Sequence, residues 1–209
     1  MPLKTPSILS LSLCIILLTA GLLLLHTSVL HPAMTYTIVF IVTSFFFCAM
    51  AWILNQVEVP KTFLLLTIGL AFLIRLSFLT TTPVGSDDIY RYMWDGKVQS
   101  ADFSPYQFAP DSSALEHLHS ALLPASANHA DMKSPYFPFS EWTFYICYQL
   151  SGEAVWGYKL LLFLAELATI SGLFLLLSQL KLPARFILLY ALCPLSIIQF
   201  GLDGHIDAL

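Results

Sequence analysis

The sequence predicts an all-α integral membrane protein of about five transmembrane helices, with interfacial helices in one large outer loop. Two observations carry that expectation. Of the 209 residues, 57% are hydrophobic and 11% charged, with a mean hydropathy of +0.77, whereas soluble domains are roughly 45–50% apolar. The apolar residues also gather into runs close to the roughly 20 residues that a helix needs to cross a bilayer. They show none of the alternation that barrel strands would require.

The first run, 8–30, is longer than the apolar core of a cleavable signal, about 7–15 residues, and leads into a second run, so a retained helix is expected. Further spans are expected at 34–56, 62–80, 155–180 and 186–203, in a single membrane domain covering 1–209. Between the third and fourth spans lies a loop, 81–152, rich in acidic residues and prolines. Within it "SPYFPFSEWTFYICYQLSG" is aromatic but short, and reads either as a helix lying on the membrane or as a thin crossing. Lys4, Lys61, Lys181 and Arg185 fall in the short connections, and cytoplasmic connections carry the excess of such residues. This places the N-terminus in the cytoplasm. With 136–152 at the interface, the large loop and the "DGHID" end then share the outer side.

The net charge of −4 gives no basic footprint for nucleic acid. Cys14, Cys48, Cys147 and Cys193 stand singly in apolar runs without metal-ligand spacing and read as small core hydrophobes. No Ser/His/Asp arrangement, phosphate-binding loop or dinucleotide fingerprint is present.

The segment "GSDDIYRYMWDG" carries the main chemical signal. Ser86 reads as a helix N-cap, which sets Asp87 and Asp88 in the first turn, where the helix dipole favours carboxylates. Asp88, Arg91 and Asp95 share one helical face, expected to point to water, and Ile89, Tyr92, Met93 and Gly96 another. A carboxylate held at a membrane surface can act as a general base or ligate a divalent cation. An acid within a span is costly unless it is paired or faces an aqueous cavity. Glu166 is such an acid, with Lys159 two turns away on the same face and Arg75 as the other candidate partner. These groups either form a packing ion pair or line a cavity for a lipid phosphate. At the C-terminus, Asp203, His205 and Asp207 cluster in "DGHIDAL", either simply solvated or spaced to bind a metal or orient an acceptor.

Taken in order, "SDDIYRYMWDGKVQSADFSPYQFAPD", "YFPFSEW", "GYKLLLFLAELATISGLFLLL" and "CPLSIIQFGLDGHIDAL" resemble the N-terminal half of the GT-C class of polytopic glycosyltransferases. The likeness is to bacterial polyprenyl-phosphate-dependent mannosyltransferases and, more distantly, to the catalytic subunit of the GPI mannosyltransferase. It covers Val84 to Leu209, with "YFPF" for Y-P-P and "CPL" for N-P-L as departures. The resemblance implies a GT-C-like N-terminal module in a plasma membrane, the inner membrane of a bacterium. Its implied reaction transfers a hexose such as mannose from a polyprenyl-phosphate donor to the hydroxyl of a glycan or glycolipid acceptor, by an inverting displacement. Asp87 or Asp88 would be the catalytic base or a ligand for a cation such as magnesium or manganese. Arg91, Tyr92, Asp95, Glu166, His205 and Asp207 would form the substrate site, and Lys159 joins them where the span charges line a cavity for a lipid phosphate. Relatives continue through further spans that complete the donor cavity, so a truncated or split protein is expected. The alternatives are a non-catalytic fragment or assembly partner in envelope glycan synthesis, and a transporter of lipid-linked sugars.

Overall fold

The computed structural model describes residues 7–27 and 32–208; Lys4 and the end of the first predicted span, 28–30, lie outside them. Among the described residues the fold is 69% helix with no strand. The chain divides into two compact units, Met1–Phe78 with Ala165–Gln199, and Leu79–Leu164 with Phe200–Leu209.

The first unit holds α1 (Ile8–Leu23), α2 (Pro32–Leu54), α3 (Lys61–Ser77), the C-terminal part of α6 (Trp156–Gln179), and the short helices α7 (Leu188–Ala191) and α8 (Pro194–Ser196). Ser7 caps α1, its hydroxyl accepting from the Ser10 amide, which satisfies one of the helix's orphan donors. α1 buries Leu11, Ile15, Leu18 and Leu22 at steps of four and three, the stripe of one helical face. Leu11 and Ile15 of that stripe join a core with Met50, Ile53, Leu64, Ala71, Ile170 and Leu188. Other faces leave large apolar side chains uncovered, Leu9 at 77% and Leu66 at 70% exposure among them. So much uncovered hydrocarbon belongs in lipid.

Ile8–His26, Ala33–Leu54 and Trp156–Gln179 are long and apolar enough to cross a membrane. The third predicted span, 62–80, forms a helix of 17 residues ending at Ser77, about 26 Å long at 1.5 Å per residue. The predicted span 186–203 is not one straight helix. It breaks between Ala191 and Pro194 with a bend of 43° and continues as a π-helix over Ile197–Asp203. Pro194 supplies the reason, since a ring without N–H cannot continue the ladder. Cys48, expected in the core, is exposed on α2.

The second unit takes in the whole of the 81–152 segment together with residues 153–164 and 200–208. It contains α4 (Asp88–Ser100), a 3₁₀ turn at Ser113–Leu118, α5 (Pro138–Ser151) and the start of α6. Ile89, Met93, Trp94, Val98, Phe144 and Cys147 form its core. Gly96 lets α4 and α5 approach closely: a Cβ there would lie 2.9 Å from the Tyr148 Cβ and closer still to the Phe144 carbonyl. α5 has 14 residues, about 21 Å, against a hydrocarbon layer of roughly 30 Å.

α4 ends in a Schellman arrangement. The Phe103 amide donates to the Val98 carbonyl (3.1 Å) and the Asp102 amide to that of Gln99 (3.1 Å). Asp102 takes the left-handed position at φ 62, where glycine is the usual residue and a side chain costs about 1 kcal/mol.

Candidate functional site

The N-terminus of α4 gathers the acidic pair. Ser86 was expected as the N-cap. The helix instead starts one residue later, with Asp87 in the cap position, and the Ser86 hydroxyl accepts from the Asp88 amide at 3.1 Å. Asp87 is exposed. The Asp88 side chain is 29% exposed, and its Oδ2 lies 3.2 Å from Nδ1 of His205. The Asn128 amide nitrogen donates to both carboxylates, to Oδ1 of Asp87 at 3.1 Å and to Oδ1 of Asp88 in a shorter bond.

The backbone on either side is pinned by charge. Oδ1 of Asp203 accepts from the amides of Val84 (3.0 Å) and Gly85 (2.7 Å). Lys159 Nζ donates to the carbonyls of Thr81 (2.7 Å) and Leu202 (2.6 Å). Gly204, at φ +79, packs so closely on Ile89 that a Cβ would fall 2.7 Å from the isoleucine Cδ1. These contacts seat the "DGH" segment against the start of α4.

Arg91 and Asp95, expected on a water-facing side of α4, are 2% and 1% exposed. The expectation fails because the loop 128–136 and α5 cover that face. Arg91 Nε donates to Asp95 (3.0 Å), and its terminal nitrogens donate to the carbonyls of His129 (3.0 Å) and Met132 (2.8 Å). The guanidinium therefore acts as a fork that ties the covering loop to the helix.

Behind it sits a second buried acid, Glu141. Gln99 Nε2 donates to Glu141 Oε2 at 2.8 Å, and Ser134 makes a short hydrogen bond to Oε1. Burial, then the charge of Asp95, pushes the Glu141 carboxyl up to about 8. Burial also raises Asp95, and Arg91 counters it. The Tyr92 ring stacks on Phe144 at 4.6 Å and meets Tyr136 edge-on at 5.3 Å. Burial raises the hydroxyls of both tyrosines, that of Tyr136 to about 12, so both stay neutral donors at ordinary pH.

Asp88, Arg91, Asn128, His129, Met132 and Tyr136 line a recess of about 360 Å³. It is large enough for a sugar ring and has a partly solvated carboxylate in its wall. Asp207 lies outside this arrangement, exposed in the 3₁₀ turn Ile206–Ala208. Glu166 belongs to the first unit, where its partner is Arg75 and not Lys159. Nε and Nη2 of Arg75 each donate to one Glu166 oxygen at 2.8 Å. The other Arg75 donors reach the carbonyls of Ala71 and Ala191 and the hydroxyl of Ser196. All five guanidinium N–H groups are thereby used, and the Ala191 carbonyl at the helix break is satisfied within the apolar interior.

Among the described residues, no group of three or more His, Cys, Asp or Glu side chains is placed to hold a metal ion. Asn128 engages one oxygen of Asp87 and one of Asp88, and His205 the other oxygen of Asp88. Sequence reasoning did not single out Asn128 or Glu141. Asn128 stands in an undistinguished loop, "ASANHAD", whereas the lone acid of "YFPFSEW", set among aromatics, offered a usable signal for Glu141.

Apolar helices together with a module that sets one of two adjacent carboxylates in the wall of a sugar-sized recess define a membrane protein with an acidic site. The chain matches the family described as alpha-(1->6)-mannopyranosyltransferase, N-terminal domain, over residues 10–209, and it belongs to that mannosyltransferase family. Neither a curated protein nor a solved structure matches the chain.

Proposed function

We propose that this chain supplies the acidic side of a GT-C-type site that moves a mannosyl group from a polyprenyl-phosphate donor to a hydroxyl acceptor at the outer face of a plasma membrane. The observation that carries the reading is the Asp88 carboxylate, held by Asn128 and His205 in the wall of the recess. Asp88 is the base in this reading, because it lines the recess whereas Asp87 does not. The acceptor oxygen attacks the anomeric carbon and its proton passes to Asp88. The bond from that carbon to the bridging phosphate oxygen breaks, and the lipid phosphate leaves with the electron pair. The outer-face assignment rests on Lys61, Lys181 and Arg185 lying in short connections. About five crossings follow if α3 and the bent α7–α8 segment each span.

The test is transfer of labelled mannose into membranes that contain the protein, from polyprenyl-phosphate-mannose and, separately, from a nucleotide-activated mannose. Transfer is expected from the lipid donor alone, and Asp88→Asn should lower it by about 10²–10⁴-fold, the usual weight of a general base. Transfer from the nucleotide donor would overturn the donor assignment, and transfer that survives Asp87→Asn with Asp88→Asn would overturn the site. Labelling of a cysteine placed at Ser112 by an impermeant reagent reads the membrane side.

A further inference from the structure

A second cleft lies at the C-terminal end of α4, apart from the acidic recess. Gln99, Asp102, Phe103, Tyr106, Trp142 and Tyr145 line an open groove of about 490 Å³. Trp142 is 64% exposed and Tyr106 43%, so aromatic rings stand open beside a carboxylate and an amide. Pyranose rings match such a surface: their C–H faces stack on aromatic rings, and their hydroxyls pair with planar carboxylates and amides.

Two observations single this groove out from ordinary surface. Asp102 occupies the left-handed position after α4 (φ 62), where glycine would relieve the backbone, and it holds an exposed carboxylate at the groove. Strain kept at such a position points to a use for the side chain. Tyr106 also connects the groove to the acidic recess, its hydroxyl donating to the Tyr136 carbonyl at 2.9 Å, and Tyr136 lines that recess.

We propose that this groove is a glycan subsite, which holds sugar units of the acceptor next to the one that reacts. The inference rests on the hexosyl-transfer reading and extends it to acceptor binding. Phe139, Trp142, Ile146 and Leu150 form an exposed apolar stripe on α5, and a bilayer could also cover Trp142. The groove favours sugar, because hydrocarbon laid over Asp102 would strip its carboxylate of water without a partner.

The test uses the full chain in detergent with a 1,6-linked mannose disaccharide as the probe, followed by ligand-observed NMR and by tryptophan fluorescence referenced to Trp142→Phe. Saturable binding and a Trp142-dependent signal are expected. Trp142→Ala should weaken binding about tenfold, the loss of one stacking ring. Asp102→Gly should weaken it about fivefold, the loss of one hydrogen bond, while the thermal midpoint holds or rises. Asp88→Asn should lower transfer by about 10²–10⁴-fold and leave disaccharide binding in the groove unchanged, so failure of the transfer reading is distinguishable from failure of the groove. Absence of disaccharide binding, or Asp102→Gly binding as tightly as wild type, overturns the proposal. Quenching of Trp142 by brominated phospholipid in liposomes, without a response to sugar, assigns this face to the membrane and overturns it too.

Discussion

His205 Nδ1 lies 3.2 Å from the Asp88 carboxylate, and the ring and the acid are 19% and 29% exposed. The contact joins the far end of the chain to the first turn of α4, so the histidine fixes the direction of one carboxylate lobe while Asn128 fixes the other. His205→Gln keeps a donor in place and should lower mannosyl transfer about tenfold. His205→Phe should lower it further, since a buried face of the acid then loses its partner. Asp87→Asn should retain more transfer than Asp88→Asn, because Asp87 stands outside the recess. Equal losses for the two aspartates, in a radiolabel transfer assay at saturating donor, would remove the distinction drawn between them.

Arg75 and Glu166 bear on stability. The pair is two-point, with side chains 1% exposed, and removing one member strands a charge in an apolar interior at a cost of about 3–5 kcal/mol. Glu166→Ala or Arg75→Met should therefore depress the thermal midpoint in detergent sharply, whereas the joint Arg75→Met, Glu166→Leu variant should recover most of it. If the double variant is as damaged as either single one, the arginine's bonds to Ala191 and Ser196 at the helix break outweigh its bond to the acid.

The helices were largely legible because bilayer crossing imposes length and apolarity directly on the chain: predicted 34–56 and 155–180 appear as Pro32–Leu54 and Trp156–Gln179. The shared face of Asp88, Arg91 and Asp95 was also legible, since spacings of three and four define it. What covers that face was not. The loop over Arg91 is held by the main-chain carbonyls of His129 and Met132, and a carbonyl has no residue signature. The choice between the two candidate partners of Glu166 has a similar origin, because periodicity could place Lys159 on the same stripe while only tertiary packing decides for Arg75 on another helix.

Gly96 sets how closely α4 and α5 approach. A methyl group there would meet the Phe144 main chain, which cannot swing aside as a side-chain tip can. Gly96→Ala should cost about 1–3 kcal/mol by overpacking, visible as a lower thermal midpoint. It should also loosen the α5 acid Glu141 from Gln99. A midpoint equal to wild type would mean that the two helices can separate without loss.

The buried acid Glu141 makes stability depend on pH, with a sign set by its environment. Its carboxyl is pushed up to about 8, first by burial and then by the charge of Asp95. Around it stand Gln99, Ser134, Arg91 and the Tyr106 ring. In the unfolded chain the same group titrates near 4.3. Between these values the folded state holds a proton that the unfolded state has released, so stability falls as pH rises from about 4 to about 8 and levels off above that. The limiting slope for one such proton is about 1.4 kcal/mol per pH unit, and the raised carboxyl of Asp95 acts in the same direction. Thermal midpoints of the detergent-solubilised protein should drop steadily from pH 5 to pH 8, and Glu141→Gln, which is uncharged throughout, should flatten most of that decline. Parallel curves for wild type and Glu141→Gln would place the proton on another group, and Asp95→Asn in the same series identifies whether that group is its neighbour.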